Sequence, residues 1–307
     1  MEARATMGVP QNRHLALIIM SRLRNLRTFL TNSGVRNAYM KWWFQRLLGH
    51  EPSLVLPNGL RCYGSAKFND FCMLKSQGID PTDFAVFRHF LKDGGVFFDV
   101  GANVGVTTLV AAGTAQLARI VAFEPTHKCA ELWHKNVGKN GIPNASLLQC
   151  AVSDKVGTME FITDPSALAY NRLNVGKTMT RHDSGDNHQP DVTMVNVTTL
   201  DAVCEAFNLD GISLLKIDVE GAEPSVWRGA RRLLEEKAIK AVFMEFVPAF
   251  FCDMNEDIHA FTMSIHAFGY AAFEIDRVQG IGRRLSQAEL AAGSFAGPNI
   301  VLQPVDR

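Results

Sequence analysis

The chain has 307 residues, of which 47% are hydrophobic and 20% charged, and its 31 basic and 31 acidic side chains leave no formal net charge. This composition is that of a globular protein, and it excludes a disordered chain, a fibrous repeat and a disulfide-stapled miniprotein. The neutral balance gives no reason to expect a nucleic-acid partner. Six irregularly spaced cysteines do not form a zinc motif, and we expect reduced thiols in a cytoplasmic compartment.

Residues 1–50 are predicted to form a basic amphipathic helical extension. They carry seven arginines and one lysine against a single acid, Glu2, and their leucines and isoleucines recur at helical spacing over 15–30. An aromatic run follows at 42–44. Three interpretations are open: a helix packed on the main domain, peripheral contact with a membrane surface, and an organelle-targeting peptide. No stretch reaches the roughly 20 apolar residues that a membrane-spanning helix needs.

Residues 51–92 are predicted to form a hairpin and a helix that lead into the core. Pro57-Asn58-Gly59 is a turn signal between two short apolar runs. Asp80 has the side chain of a helix N-cap, and Pro81 favours the first helical turn. Asp93-Gly94-Gly95 is expected to end this helix.

Residues 93–307 alternate apolar strands with helical segments, which predicts right-handed crossovers and a mostly parallel sheet. The predicted strands are 96–100, 119–123, 146–152, 214–218 and 241–246, and the predicted helices are about 103–115, 126–139, 200–208 and 224–237. An extra strand pair, 156–163 and 191–197, flanks a polar segment, 164–190, that we expect to be a lid or a binding loop. A helix at about 255–268 and an antiparallel pair, 270–275 with 299–303, would complete the sheet. The fold class is therefore α/β, doubly wound and Rossmann-like, with helices on both faces of the sheet.

The first strand of this domain leads into a glycine-containing turn and a helix, the place where open α/β sheets bind ligands. Two cofactors are considered, a dinucleotide and S-adenosylmethionine. Asn103 stands where a dinucleotide fingerprint has its second glycine. Asp99 would repel a pyrophosphate, whereas it suits a methionyl ammonium. These two residues favour S-adenosylmethionine, and Glu124 after the second strand suits the ribose of either cofactor.

The strand at 214–218 ends in ionisable residues, and period-two alternation places Lys216, Asp218 and Glu220 on one side of it. Such residues are expensive to bury, so we favour a site over a structural ion-pair network around Lys216. Asp218 and Glu220 are the candidate general bases. Glu245, after the next strand, is either a third base or a partner of Lys216. Lys216 itself would hold a carboxylate or the acceptor oxygen.

Five motifs in order resemble the FkbM family of class I methyltransferases. They are 99–105 (DVGANVG), 123–125 (FEP), 151–154 (AVSD), 199–201 (TLD) and 215–223 (LKIDVEGAE). The resemblance covers roughly 95–250 and implies a seven-stranded Rossmann-like sheet and O-methylation with S-adenosylmethionine. The chain departs from the family pattern at Thr126-His127.

The resemblance also assigns residues to parts of the cofactor. It implies that Asp99, Gly101 and Asn103 hold the methionyl end, that Glu124 holds the ribose, and that Ser153 and Asp154 hold the adenine. The same motifs add Ala102, Gly105 and Pro125 to the cofactor-binding set, and place Asp218, Glu220 and Lys216 on the acceptor side.

No metal is expected, because the carboxylate cluster that magnesium would need is incomplete in the sequence. His182 and His188 are spaced too widely for the usual histidine ligand pattern, so a solvated turn is expected there. An NAD-dependent oxidoreductase and a non-catalytic membrane-surface protein are the alternative functions. The expected partner is a small-molecule methyl acceptor. A sugar, polyketide or lipid hydroxyl, a carboxylate and a peptide amide all fit.

Overall fold

A computed structural model describes position 40 and residues 42–64, 81–114, 116–163, 172–174 and 191–305 of the chain. The chain divides into two compact units, residues 1–53 with 65–77, and residues 54–64 with 78–307. The first unit contains a helix, α1, over 42–47. The side-chain amide of Gln45 in α1 exchanges two hydrogen bonds with the backbone of Ser53. No helix in the described ranges is long and apolar enough to cross a bilayer.

Thirteen strands are described, in three sheets. In chain order they are β1 (Ser53–Val55), β2 (Arg61–Tyr63), β3 (Val96–Val100), β4 (Arg119–Phe123), β5 (Ala145–Leu148), β6 (Ala151–Val152), β7 (Gly157–Thr163), β8 (Arg172–Leu173), β9 (Asp191–Thr198), β10 (Leu214–Ile217), β11 (Val242–Glu245), β12 (Tyr270–Phe273) and β13 (Asn299–Pro304). β1 and β2 form the predicted hairpin sheet.

The helices after α1 alternate with these strands, as the sequence predicts. They are α2 (Pro81–Leu91), α3 (Val106–Ala112), α4 (His127–Lys139), α5 (Leu200–Ala206), α6 (Glu223–Arg228), α7 (Arg231–Glu235), α8 (Pro248–Asp253), α9 (Ile258–Ala267) and α10 (Gln287–Ala292).

The central sheet has seven strands in the order β12-β13-β11-β10-β3-β4-β5. The five strands from β11 to β5 are parallel, and β13 is antiparallel to both β11 and β12. This confirms the α/β, Rossmann-like fold class. The chain builds outward from β3 through β4 to β5 and then returns to the other side of β3 with β10. The switch point of the sheet, where such folds bind ligands, therefore lies between β3 and β10.

The predicted strand 146–152 is two strands in two different sheets. Cys150 donates its backbone N–H to the carbonyl of Leu148, and this tight turn ends β5. β6 then pairs with β9 in a second sheet of order β6-β9-β7-β8, which includes the predicted antiparallel pair β7 and β9. β8 lies inside the predicted polar loop, so 164–190 is not a loop throughout. The rest of that segment, with His182 and His188, lies outside the described residues, as does Asp80.

Two predicted helices were wrong in their extent. The helix at 103–115 begins only at Val106, because Asn103 and Gly105 have left-handed φ angles of 48° and 92°. The helix at 224–237 is interrupted at Gly229, where a Cβ atom would stand 2.0 Å from the carbonyl oxygen of Ser153. The close approach of these two backbones is possible only with glycine.

Residues 54–64 and 78–307 form one compact unit, and the division predicted at residue 92 stays a prediction. α2 packs into the core, where the buried ring of Phe87 contacts Phe97 of β3 and Phe243 of β11 edge to face. Each such buried aromatic ring contributes about 1.5–3 kcal/mol to stability. α2 is therefore a structural part of the unit that carries the site.

The motif at 199–201 connects two helices of the core. Thr199 caps α5 by accepting the N–H of Ala202, and the Asp201 carboxylate accepts the N–H groups of Arg232 and Leu233 in the first turn of α7. An anionic cap of this kind stabilises a helix N-terminus. This motif has a structural role in the described chain.

Candidate active site

Asp99 is the buried centre of the site. It lies in β3 opposite Lys216 of β10, and its side chain has no exposed surface. The hydroxyl groups of Thr107 and Thr108 donate to its carboxylate at 2.6–2.9 Å, and the indole N–H of Trp133 donates to Thr108. A methionyl ammonium would reach Asp99 only if these contacts changed. The direct contact expected for Asp99 stays a prediction.

Lys216 ties the end of β10 to the turn after β3. Its Nζ donates to the carbonyl oxygens of Val100 and Gly101 at 3.2 and 2.7 Å, and lies 3.7 Å from Asp99 Oδ1 and 3.4 Å from Asp218 Oδ2. Burial would lower the pKa of Lys216, but Asp218 and Asp99 more than offset this, so the pKa is raised and the ammonium stays charged.

The contacts of Lys216 bear on its predicted role, and whether it also touches the acceptor stays a prediction. Its side chain is only 4% exposed, and its ammonium already holds two carbonyl oxygens and two carboxylates. This is the first of its two predicted roles, that of holding a carboxylate. We assign Lys216 as a positioning residue.

The turn 101–105 is rigid for steric reasons. Gly101 has a φ of +76°, and a Cβ atom there would stand 1.9 Å from the backbone oxygen of Asp218. A Cβ atom on Gly105 would stand 2.8 Å from the Trp133 ring. The N–H groups of Gly101 and Ala102 donate to the carbonyl of Phe123, which fixes the turn to the end of β4. These contacts explain the glycines by packing, and the predicted cofactor contacts of the turn stay predictions.

Glu124 is a buried carboxylate at the end of β4. It accepts the N–H of Asn103 at 3.0 Å, and both the N–H and the hydroxyl of Thr126 at 2.9 and 2.6 Å. Burial raises its pKa, and the bonds from Thr126 only partly counter this. A carboxylate offers about four acceptor positions, so Glu124 retains about one for a ribose hydroxyl. A second ribose hydroxyl would displace the Thr126 hydroxyl.

Ser153 and Asp154, the predicted adenine residues, follow β6. Ser153 is buried, and the exposed carboxylate of Asp154 lies 3.3 Å from Nε of Arg228. Arg228 also donates a bidentate pair of hydrogen bonds to the carboxylate of Glu256. Asp154 is therefore held by a cation that the sequence pattern did not reveal. Its contact with adenine, like the membership of Pro125 in the cofactor-binding set, stays a prediction.

Asp218, Glu220 and Glu245 form a group that we call the acidic rim. One carboxylate oxygen from each lies within 4.8 Å of the other two. The proximity of Asp218 and Glu220 follows the prediction, although β10 ends at Ile217 and Glu220 has a φ of +56°. The ion pairs of Lys216 among the described residues are with Asp99 and Asp218, and Glu245 interacts with Lys216 at longer range through its charge.

The acidic rim is electrostatically unsatisfied. Glu245 Oε2 is buried and has no hydrogen-bond partner among the described residues. Burial, followed by repulsion from Asp218 and Glu223, raises the pKa of Glu220 to about 8. Burial and Asp218 raise the pKa of Glu245 as well. The raised pKa values favour the protonated forms of Glu220 and Glu245, and Asp218, which is 47% exposed, lies beside the ammonium of Lys216.

The acidic rim changes the reasoning behind the expectation that no metal binds. That expectation rested on an incomplete carboxylate set, and the structure completes a set of three by adding Glu245. Carboxylate groups are suitable ligands for magnesium or calcium. An acidic cluster does not by itself establish a metal site, and the chemistry proposed below does not use one.

Several partners of the site residues were missed in the sequence. The hydroxyls of Thr107 and Thr108 on Asp99, and that of Thr126 on Glu124, come from residues directly after the motifs. Glu223 was noted only as part of the ionisable run, yet its carboxylate accepts the N–H groups of Val219 and Gly221 and shapes the turn that carries Glu220. The available signal was the high density of threonine and glutamate at strand ends.

Comparisons with known proteins agree with this geometry. Residues 99–271 match the family model of the Methyltransferase FkbM domain. The chain is 29% identical over 153 residues to Methyltransferase sdnD of Sordaria araneosa, covering 43% of this chain and 58% of that protein. It is 32% identical over 169 residues to 31-O-demethyl-FK506 methyltransferase FkbM of Streptomyces tacrolimicus, covering 48% and 65%. The chain thus spans less than two thirds of the length of these relatives.

Similarity to solved structures is weak and carries no argument about function. The methyltransferase FkbM of Methylobacillus flagellatus KT gives a TM-score of 0.40 at 11% identity, covering 69% of this chain and 44% of that one. The O-methyltransferase of Bacillus cereus, solved in complex with SAH, gives 0.43 at 11% identity, covering 78% and 87%. The family model alone accounts for more than half of the residues. This chain belongs to the FkbM methyltransferase family.

Proposed function

We propose that the protein transfers a methyl group from S-adenosylmethionine to a hydroxyl group of a small molecule, a sugar or a lipid. One observation carries this proposal. At the switch point, a packed polar turn with Glu124 stands on the β3 and β4 side, and the unsatisfied acidic rim stands on the β10 and β11 side. Membership of a methyltransferase family favours this function over an NAD-dependent oxidoreductase.

The side chains present fit the proposed cofactor by their chemistry. Glu124 keeps an acceptor position for a ribose hydroxyl, and the edge of the sheet carries carboxylates that suit a cationic nucleoside. The residues that would hold the cofactor are Glu124, the turn 101–105, and Asp154. When bound, S-adenosylmethionine supplies an activated methyl group on a positively charged sulfur.

The acidic rim supplies the proton acceptor. A hydroxyl group is a poor nucleophile until it loses its proton, and a carboxylate within hydrogen-bond reach can remove it. Asp218 is our candidate for this role because its carboxylate is exposed and Lys216 lies 3.4 Å away. The raised pKa values of Glu220 and Glu245 favour their protonated forms, which would donate hydrogen bonds that orient the acceptor oxygen.

Oxygen as the accepting atom has support from a relative. The name of the Streptomyces tacrolimicus protein describes a methyltransferase for a 31-O-demethyl compound. A hydroxyl acceptor is consistent with a rim that combines the exposed carboxylate of Asp218 with two carboxyl groups whose pKa values are raised. The polar segment 164–190 would select among hydroxyl-bearing acceptors, as loops on a rigid scaffold commonly do.

Cofactor binding is tested by isothermal titration calorimetry with S-adenosylmethionine and its demethylated product. We expect Glu124→Ala to weaken binding at least about tenfold, since it removes a charge-assisted acceptor, without unfolding the protein. Glu131→Ala, at an exposed glutamate of α4, is the matched control and should leave affinity unchanged. Equal affinities for the two variants would remove Glu124 from the cofactor site.

The reaction itself is tested by incubation with methyl-labelled cofactor and a cell extract, followed by mass spectrometry of every labelled species. A label on the oxygen of a small molecule, sugar or lipid is expected from the unmutated protein and not from Asp218→Asn. A nicotinamide-dependent absorbance change without any labelled product would favour the oxidoreductase instead.

A further inference from the structure

Helix α1 carries its large apolar side chains on its solvent-facing side. Met40, Trp43, Phe44 and Leu47 follow the spacing i, i+3, i+4 and i+7, which places them on one face of a helix. These four and Leu48, which follows the helix, are between 43% and 62% exposed. We call these five side chains the apolar face of α1.

This exposure is concentrated in one place. Eleven large hydrophobic side chains are exposed in the described ranges, and five of them fall within nine consecutive positions, 40–48. A surface helix of a globular protein normally turns such a stripe toward the core. A contiguous exposed apolar patch marks an interaction surface.

The polar side of α1 is already engaged. Gln45 bonds to the backbone of Ser53 through both ends of its amide, and Arg46 places its guanidinium 5.3 Å from the centre of the Trp42 ring. The helix is therefore held from its polar side within its own unit, and its apolar face is the side presented outward.

The charge of the first fifty residues of the sequence indicates what kind of partner the apolar face of α1 binds. The first fifty residues contain eight basic side chains and one acid, in a chain whose total is neutral. Tryptophan and phenylalanine beside arginine and lysine is the combination that binds the interface of an anionic bilayer. A partner protein with a surface of average composition would not explain the excess of basic over acidic residues in this segment.

A second copy of the chain fits this face less well. Five half-exposed side chains offer roughly 500 Å², at on the order of 100 Å² each. A stable homodimer needs about 800 Å² from each partner. We infer that α1 docks on an anionic lipid bilayer, with its apolar face in the interfacial region and the basic sequence of residues 1–50 supplying attraction to the headgroups. This inference does not depend on the proposed methyl transfer.

The test is sedimentation of the full chain with vesicles of phosphatidylcholine, alone or mixed with phosphatidylserine. We expect binding to the anionic vesicles that falls as salt is raised, because headgroup attraction is screened. The triple variant Trp43→Ser, Phe44→Ser and Leu47→Ser should lose at least about tenfold in partitioning, since it removes most of the apolar face.

A matched control removes three exposed apolar side chains elsewhere. Val156→Ser, Met194→Ser and Val278→Ser together change residues that are 62–81% exposed, and partitioning should stay unchanged. A second readout uses the unmutated protein. Brominated lipids should quench the tryptophans of α1, whereas Trp133 and Trp227 are buried and stay unquenched.

Three outcomes overturn the inference. The first is no binding to anionic vesicles and no quenching, which decides the question even if the α1 variant fails to fold. The second is equal loss, or equal retention, of binding in the two triple variants. The third is a dimer in light scattering that only the α1 variant dissociates, without vesicle binding, which would assign the face to a second copy.

Discussion

The two sides of the switch point are built from the same residue types, yet their carboxylates differ in the hydrogen bonds they accept. On the β3 and β4 side, the carboxylates of Asp99 and Glu124 are surrounded by hydroxyl and N–H donors from the chain itself. On the β10 and β11 side, the carboxylates of the acidic rim face one another, and a buried oxygen of Glu245 has no described partner. Burial is therefore not what distinguishes a carboxylate with satisfied hydrogen bonds from one without. The partners that the fold supplies make the distinction.

Lys216 contacts residues on both sides of the switch point, so removing its charge should cause the largest loss of stability among these variants. Lys216→Met would leave Asp99 buried without a counter-charge, and we expect a loss of about 3–5 kcal/mol in the free energy of unfolding, measured by urea denaturation. The exposed Lys240→Met is the control and should stay within about 0.5 kcal/mol. A loss below about 1 kcal/mol for Lys216→Met would show that the threonine hydroxyls alone satisfy Asp99.

Gly101 connects the two sides sterically, because its missing Cβ gives room to the backbone oxygen of Asp218. Gly101→Ala should destabilise the protein by at least about 2 kcal/mol more than Gly141→Ala, measured by thermal unfolding. Gly141 also has a positive φ, but a Cβ atom there would meet nothing within 4 Å, so it reports the backbone cost alone. Equal losses would mean that the end of β10 can move aside.

A substitution at Asp218 should change turnover but leave cofactor affinity almost unaltered. Asp218→Asn removes the proposed proton acceptor but keeps its shape, so turnover should fall at least about a hundredfold. Affinity for S-adenosylmethionine should change by less than about threefold in calorimetry. Asp210→Asn, at an exposed aspartate, should leave both quantities unchanged. Full turnover by the Asp218 variant would exclude it as the base.

The pH dependence of stability tests the surroundings of Glu220, and the effect expected there is the smallest. Its pKa is about 8 in the folded protein against 4.5 as the ordinary value, so the folded state binds this proton more tightly than the unfolded chain. Stability should therefore fall as pH rises from about 4.5 to about 8 and then level off. Glu220→Gln should reduce that fall by on the order of 2 kcal/mol, measured by denaturant titration across this range.

The control for that experiment is Glu205→Gln, at an exposed position of α5, which should reproduce the pH dependence of the unmutated protein. An unchanged pH dependence in the Glu220 variant would mean that the acidic rim is better solvated than its geometry indicates.

The sheet and its acidic edge could be predicted from sequence because both follow from local pattern. Apolar runs bounded by glycine and acid gave β3, β4, β10 and β11 with errors of at most two residues at each end. Parallel strands end at a common edge, so the gathering of Asp218 and Glu220 followed from the register. The break at Gln149 was missed because the chain leaves one sheet there to pair with β9 in another, and the break at Gly229 because the backbone of Ser153 approaches it from a distant part of the chain.

The hydrogen-bond partners of each carboxylate could not be predicted from local sequence pattern. That Thr107 and Thr108 satisfy Asp99, while Glu245 lacks a partner among the described residues, depends on side-chain geometry between non-adjacent elements. The burial of Lys216 and its contacts with two carbonyl oxygens and two carboxylates likewise became visible only in the structure. Sequence motifs identified the members of the site, and only their tertiary contacts distinguished their chemistry.

The contacts of Lys216 also set the order in which the protein can be completed during synthesis. Its ammonium reaches the carbonyls of Gly101 and Val100 across 115 and 116 positions of the chain. Until the ribosome has released the segment containing β10, the strand with Asp99 has neither its neighbour on that side nor its counter-charge. Pairings of such long range form slowly. The nascent amino-terminal half is therefore the stage at which this protein most needs protection from aggregation.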